Sequence, residues 1–337
     1  MAIRKKTAVI IGGVAAVALV AGGITAAVLS GNSSAEATPA TDPAAVTTAA
    51  GETLDFNLGP DQDRIRLDEV PAAVAAIQAG GFEPIEAGKL TVVVSPYVAP
   101  LGLYADDDTT LIGNETDIAQ LIADGLGLEL NLQPAAWADW PLGIQSGKYD
   151  LITSNVTVTE ERKDLYDFAS YREDLLGFYV KSDSTIESID EAKDVAGLKV
   201  VVGSGTNQEK ILQAWDAENI AAGLDPVQYQ YFDDDAAATL AVQSGRADAV
   251  FGPNATAAYK AAENGETKLV GTFNGGYPEH ANIAAGTAKG NGLIEGVALV
   301  LNAAIDGGEY GEVLERWGLT SEAITESEVN PAGLPRE

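Results

Sequence analysis

Apolar positions in this chain switch back and forth between a strand rhythm and a helix rhythm. Leu90 to Val94 is a short, nearly unbroken apolar run, as a strand covered on both faces requires. Behind Asn114, a helix-capping residue type, Ile118, Leu121 and Ile122 recur on one face of a predicted helix over Glu115 to Leu126. Leu128 to Leu132 alternates as a strand, Trp137 to Ser146 reads as a helix, and Tyr149 to Thr153 as a strand. The plan then recurs: strand Leu198 to Val202, helix Lys210 to Trp215, strand Val227 to Tyr231, helix Asp234 to Ser244, strand Ala247 to Phe251. Helices over Leu293 to Ile305 and Tyr310 to Trp317 close the pattern. Gln145 to Ile152 (QSGKYDLI) and Gln243 to Val250 (QSGRADAV) share a helix end, Ser-Gly, a basic residue and an Asp inside a strand. A fainter echo pairs Gly88 to Ser95 with Gly197 to Ser204. A spacing of about a hundred residues is too long for a solenoid repeat. It predicts two α/β lobes of related construction, with a cleft between them for a small ligand.

The chemistry concentrates in QSGKYDLITSNVTVTEERKDLYDF, Gln145 to Phe168. Ser154, Asn155 and Thr157 follow a strand in a donor-rich loop, and Thr157 with Glu160 has capping-box spacing. A helix is predicted to start there, with Arg162 in its first turn. Free helix amides plus a guanidinium make a receptor for a carboxylate, although EERK by itself reads as an ordinary solvated helix start. In the second lobe, Thr206 and Glu209 repeat the capping spacing within GSGTNQE. Gln208 occupies the third glycine place of GxGxxG, which argues against a dinucleotide site. A helix N-terminus facing the cleft remains, with Asn207 and Gln208 on its first turn.

Composition sets limits. The 337 residues, 46% apolar, are enough for two cored lobes plus extensions. Fifty acidic against 20 basic residues give a formal charge of −30, which opposes nucleic-acid binding. Arg4, Lys5 and Lys6 precede an uncharged stretch from Thr7 to Leu29, and Ala35-Glu36-Ala37 is a small-x-small site. Residues 1–37 therefore read as a signal peptide or an N-terminal membrane anchor. Residues 38–55 read as a disordered linker and 56–88 as an N-terminal extension packed on the first lobe. The absence of cysteine excludes a lipid-modified cysteine and disulfides. His280 is the lone histidine, so zinc sites and histidine-based triads lack material. Asp106 to Asp108 and Asp233 to Asp235 do not follow the EF-hand pattern. No metal, no cofactor and no catalytic residue is expected.

The segments GNETDIAQLIADGLGLEL, QSGKYDLITSNVTVTEERKDLYDF, VVVGSGTNQEKIL, QSGRADAVFG and GEYGEVLERWGL, in this order, resemble the bacterial extracellular solute-binding proteins of family 3. The resemblance implies an α/β, two-lobe periplasmic-binding-protein-like fold of type II. Lobe 1 would span 89–179 and 283–337, lobe 2 180–282, with two crossover segments near Phe178 to Val180 and Asn282 to Gly286. It implies the substrate-binding component of an ABC importer, closing on an amino acid or related carboxylate. The partner would be an ABC transporter permease, the assembly a monomer, and the location exported, at the cell surface or secreted. Position by position, Arg162 matches the carboxylate clamp and Thr157 the hydroxyl donor before it. Ser154 or Asn155 matches the loop carbonyl for an amino group, and Asn207 and Gln208 the closing helix start. Trp137 matches an aromatic near the cleft. Two acidic places are lost: Ser95 stands after the first strand, with Tyr97 as the nearby aromatic, and Pro253 followed by Asn254 after the last strand of lobe 2. The resemblance also extends to cyclohexadienyl dehydratases, for which Glu115 or Glu209 would be the acid. A sensor or structural surface module is the third reading.

Overall fold

Short apolar runs alternating with one-sided helices are satisfied together only by sheets covered with helices, and this chain builds that arrangement twice. The computed structural model describes residues 46–47, 53–54, 56–97, 99–232, 234–277 and 280–336, all within one unit, residues 43–337. The expected signal peptide or anchor, 1–37, lies outside the described residues. Among the described residues no helix is long and apolar enough to cross a membrane. β1 (Val46–Thr47) and β2 (Thr53–Leu54) pair antiparallel. This corrects the disordered-linker expectation for 38–55 at these residues, where Val and Thr favour strand pairing. α1 (Pro71–Gly80) starts with Pro in its first turn and stops at Gly81, which adopts the left-handed conformation at φ 73°.

The first lobe contains β3 (Lys89–Val94), a small hairpin of β4 (Leu103–Tyr104) and β5 (Leu111–Ile112), and α2 (Asn114–Gly125). It continues with β6 (Glu129–Pro134), α3 (Trp140–Gln145), β7 (Leu151–Thr157) and β8 (Tyr166–Glu173). The second lobe contains β9 (Leu175–Lys181), β10 (Lys199–Val201), α4 (Asn207–Ala221) and β11 (Gln228–Gln230). It is completed by α5 (Asp235–Gln243), β12 (Ala249–Pro253), α6 (Asn254–Asn264) and β13 (Thr267–Asn274). The chain returns to the first lobe with β14 (Asn282–Ala288), α7 (Ile294–Gly307) and α8 (Glu309–Arg316).

The two sheets are ordered β6-β3-β7-β14-β8 and β11-β10-β12-β9-β13. In each, four strands run one way and a single reversed strand, β14 or β9, lies fourth in the order, so the internal echo in the sequence reflects a shared plan. The pleat of β3 sends Leu90 and Val92 into one core beneath α2 and α7, and Val93 into another beside α3. Lobe 2 is cored by Phe178 and Phe251, stacked at 3.9 Å, with Trp215 beside them.

The first crossover falls at Asp174, between β8 and β9. This corrects the expected lobe boundary at 179/180: Leu175 to Tyr179 already pair with β12 and β13 of lobe 2. The second crossover is the stretch between Asn274 and Asn282. The two crossovers hold each other, Asp174 N–H donating to Ala281 O at 3.0 Å and Gly275 N–H to Asp174 O at 2.7 Å.

Residues 56–88 pack on lobe 1, with Arg66 gripping Asp124 through two 2.6 Å bonds. Phe56 does more. Its ring lies 5.3 Å from Tyr259 of α6 in lobe 2 and 5.5 Å from Trp317 of lobe 1, so one aromatic spans both lobes. At the other end, the segment after α8 runs back along β8, pairing Ala169 with Val329 and covering a sheet edge.

Candidate ligand-binding cleft

Arg162 stands where lobe 1 faces α4 of lobe 2. β7 pairs with β14 as far as Thr157, and Leu334 then takes the backbone of Val158 and Glu160. These pairings consume the residues expected to start a helix. The predicted capping box at Thr157 and Glu160 is therefore not formed, and Arg162–Asp164 is a single 3-10 turn. Thr159 accepts from Arg162 N–H at 3.0 Å instead. The candidate anion receptor is thus a guanidinium, without a helix dipole behind it.

The Arg162 side chain is well fixed. Nη1 donates to Thr157 O at 2.7 Å, and the guanidinium lies 5.8 Å and 5.9 Å from the rings of Trp137 and Trp140. Burial pulls its pKa down, opposed by the charge of Asp174 and then Glu161, and an arginine remains charged regardless. The C-terminal segment brackets this turn. Lys163 Nζ donates to Pro331 O at 3.0 Å, Gly333 N–H to Glu160 at 2.9 Å, and Arg336 pairs with Asp164 at 2.5 Å.

The other expected residues are largely engaged with protein. Ser154 Oγ accepts from Ser95 N–H at 2.7 Å, while the Ser95 hydroxyl is buried without a partner. Asn155 sits at φ 53° and turns inward, its Oδ1 accepting from Arg172 at 2.7 Å. Thr157 Oγ1 donates to Asp174 Oδ2 at 2.7 Å. Asn207, the first residue of α4, donates its side-chain amide to Gly275 O, and Gln208 beside it is half-buried. Asn254 opens α6 and accepts from Tyr179 OH at 3.0 Å. Tyr97 is exposed, with Lys260 of lobe 2 over its ring at 5.4 Å. Trp137 packs edge-on to Trp140 at 6.1 Å. A second inter-lobe contact is the Glu161–Lys210 pair at 2.7 Å.

Asn114 does not cap α2. Gly113 holds the cap position at φ 119°, and Asn114 is a buried first-turn residue whose side-chain amide has no hydrogen-bond partner among the described residues. A Cβ at Gly113 would overlap Leu101 O, which is why the cap is a glycine.

Behind the site lies a buried ionic cluster that pattern reasoning missed. Arg172 pairs with Glu115 at 2.9 Å and with Glu322, and Tyr171 OH donates to Glu115. Burial opposes the Arg172 charge, but Glu322 and Glu115 together raise its pKa. Burial pushes Glu322 up to about 7, against the pull of Arg172. Asp174, also buried, is raised by burial and drawn down by the Thr157 bond and by Arg172 and Arg162. The signal was present: Arg172 and Asp174, two residues apart, sit in the largely apolar double strand from Phe168 to Val180. Both acids weighed for catalysis are hydrogen-bonded within the protein. Glu115 is held in the cluster, and Glu209 accepts from Gly205 N–H at 2.6 Å and Tyr231 OH at 2.7 Å.

Residues 90–320 match the family model described as bacterial extracellular solute-binding proteins, family 3. The chain is 33% identical over 168 residues to the L-cystine-binding protein TcyJ of Escherichia coli K12, a match covering 49% of this chain and 59% of that protein. It is 25% identical to the arginine-binding protein ArgT of Corynebacterium glutamicum over 274 residues, 79% of this chain and 86% of the relative. An ancestral arginine-binding protein solved bound to arginine superposes with a TM-score of 0.61 at 30% identity, covering 68% of this chain and 98% of that one.

Proposed function

This chain belongs to the bacterial extracellular solute-binding proteins of family 3, and we propose that it captures a small carboxylate-bearing solute, an amino acid or a derivative, between its lobes for an ABC importer. The observation that carries the reading is Arg162: a guanidinium backed by two tryptophan rings and aligned by a backbone carbonyl, next to Glu161, which reaches Lys210 of α4. A bidentate carboxylate contact suits that group better than any surface role. The two crossovers and the Glu161–Lys210 contact support capture by lobe closure. The protein acts as an exported monomer that presents its loaded form to a permease. It binds without turnover, since Glu115 and Glu209 are both committed to protein partners. Relatives named for cystine and arginine favour an amino-acid-like solute. The test is a thermal-shift screen of amino acids and small carboxylates on the full chain. Binding stabilises the native state, so a ligand raises Tm with concentration. A panel without any shift, and without any co-purifying small molecule by mass spectrometry, refutes the reading.

A further inference from the structure

A carboxylate clamp alone does not distinguish an amino acid from any other small acid. The other side chains expected to line the cleft, Ser95, Ser154, Asn155, Thr157 and Asn207, are all neutral. Glu115 is already neutralised by Arg172 within the buried cluster. Glu161, next to Arg162, is paired with Lys210 of lobe 2 at 2.7 Å, which leaves Asp174 on the first crossover as the other acid acting on Arg162. Asp174 is 2% exposed, and its Oδ2 accepts the Thr157 hydroxyl at 2.7 Å. Among the described residues it makes no ion pair, although Arg162 and Arg172 both act on it through space. A buried carboxylate with so little direct compensation is costly, and an arriving cation relieves that cost.

Its position relative to Arg162 gives the cost a use. Arg162 donates to the carbonyl of Thr157, and the hydroxyl of the same Thr157 donates to Asp174, both at 2.7 Å. A positive and a negative group are thus held at two ends of a single residue. In an α-amino acid the ammonium nitrogen and the carboxylate carbon are about 2.5 Å apart, from ordinary bond lengths. A zwitterion, with its two charges on neighbouring groups, is the kind of ligand that two opposite groups flanking one residue suit. Lobe 2 closes over the same point. Gly275 packs against the Asp174 side chain so tightly that a Cβ would overlap its carboxyl carbon, and Asn207 of α4 donates to Gly275 O.

We propose that Asp174 is the specificity-determining acid of the cleft, receiving the ammonium of an amino-group-bearing carboxylate whose anionic end rests on Arg162. This rests on the solute-binding reading above and assigns the ammonium to a crossover residue, in place of the neutral Ser95 and Pro253.

The experiment titrates the full chain and its Asp174→Asn variant by calorimetry with the twenty standard amino acids and L-cystine, each beside its α-deaminated analogue. Wild type binds at least one amino acid more tightly than its deaminated analogue. Asp174→Asn weakens that amino acid about tenfold or more and shifts the analogue by less than threefold. Equal losses for both forms, or no loss for the amino acid, overturn the proposal. The first outcome makes Asp174 a structural crossover residue. A wild type that prefers deaminated acids also overturns it, while the solute-binding reading survives. Silence of the whole panel, with no co-purifying molecule, removes both. If Asp174→Asn does not fold, Asp174→Glu serves: it retains the preference for the amino form with weaker binding. Binding of Asp174→Glu at wild-type strength for both forms shows that the carboxylate is not in contact and refutes the assignment.

Discussion

Glu322→Gln should make the protein more stable at pH 8 and leave it nearly unchanged at pH 4.5. Arg172 faces two carboxylates, Glu115 and Glu322, and all three side chains are at most 5% exposed. One guanidinium neutralises one carboxylate; the other is left to the low dielectric of the interior. Burial accordingly lifts Glu322 from its ordinary 4.5 to about 7. Between those values the folded chain holds a proton that the unfolded chain releases. Stability therefore falls as pH rises from 4.5 to 7, and the loss is complete above 7. At about 1.4 kcal/mol per pH unit, the group costs about 3 kcal/mol at pH 8. Glutamine keeps the size, still accepts from Arg172 and does not titrate. Urea unfolding followed by tryptophan fluorescence at pH 4.5, 6, 7 and 8 measures the difference between the two proteins. Asp117 and Asp150 are also raised by burial and tilt both profiles alike, so they cancel in that difference. Parallel profiles, or a variant less stable at pH 8, would refute the account of the cluster.

Three further outcomes follow from the same contacts. Arg162→Ala should weaken a carboxylate ligand about tenfold or more while Tm without ligand changes little; calorimetry with unchanged affinity excludes this site. Phe56→Ala removes the ring shared by Tyr259 and Trp317, costing about 3 kcal/mol of stability and enlarging the ligand-free particle in small-angle scattering; an unchanged scattering profile means the ring does not hold the lobes together. Deleting residues 331–337 should speed amide exchange across 158–164 by about tenfold or more and weaken ligand binding, since Leu334, Gly333 and Pro331 bracket the Arg162 turn. Unchanged exchange there separates the tail from the clamp.

Much of the fold was legible because its parallel strands and outer helices obey local rules. β3, β10 and β12 are short apolar runs, and α2, α7 and α8 carry one apolar face, so periodicity located them within a few residues. The repeated QSG-basic-x-Asp segment announced a second lobe, because equivalent strands demand equivalent helix ends. Periodicity failed at the crossovers. β8 and β9 are covered on both faces and separated by one residue, so neither alternation nor a turn signal marks where one sheet ends and the other begins. Capping spacing failed at Thr157, because the same residues can extend a strand when a partner is available, and β14 and Leu334 supply one.

The sequence by itself determined two α/β lobes and an arginine poised after a strand. These are properties of order, period and residue type, which local chain physics expresses directly. Only the tertiary structure decided that Arg172 joins Glu115 and Glu322, that Phe56 bridges both lobes, and that Asp174 shares Thr157 with Arg162. Those meetings join residues far apart in the chain, or fix a charge by its surroundings. Burial and distance, which set the strength of a charge, exist only once the chain has folded.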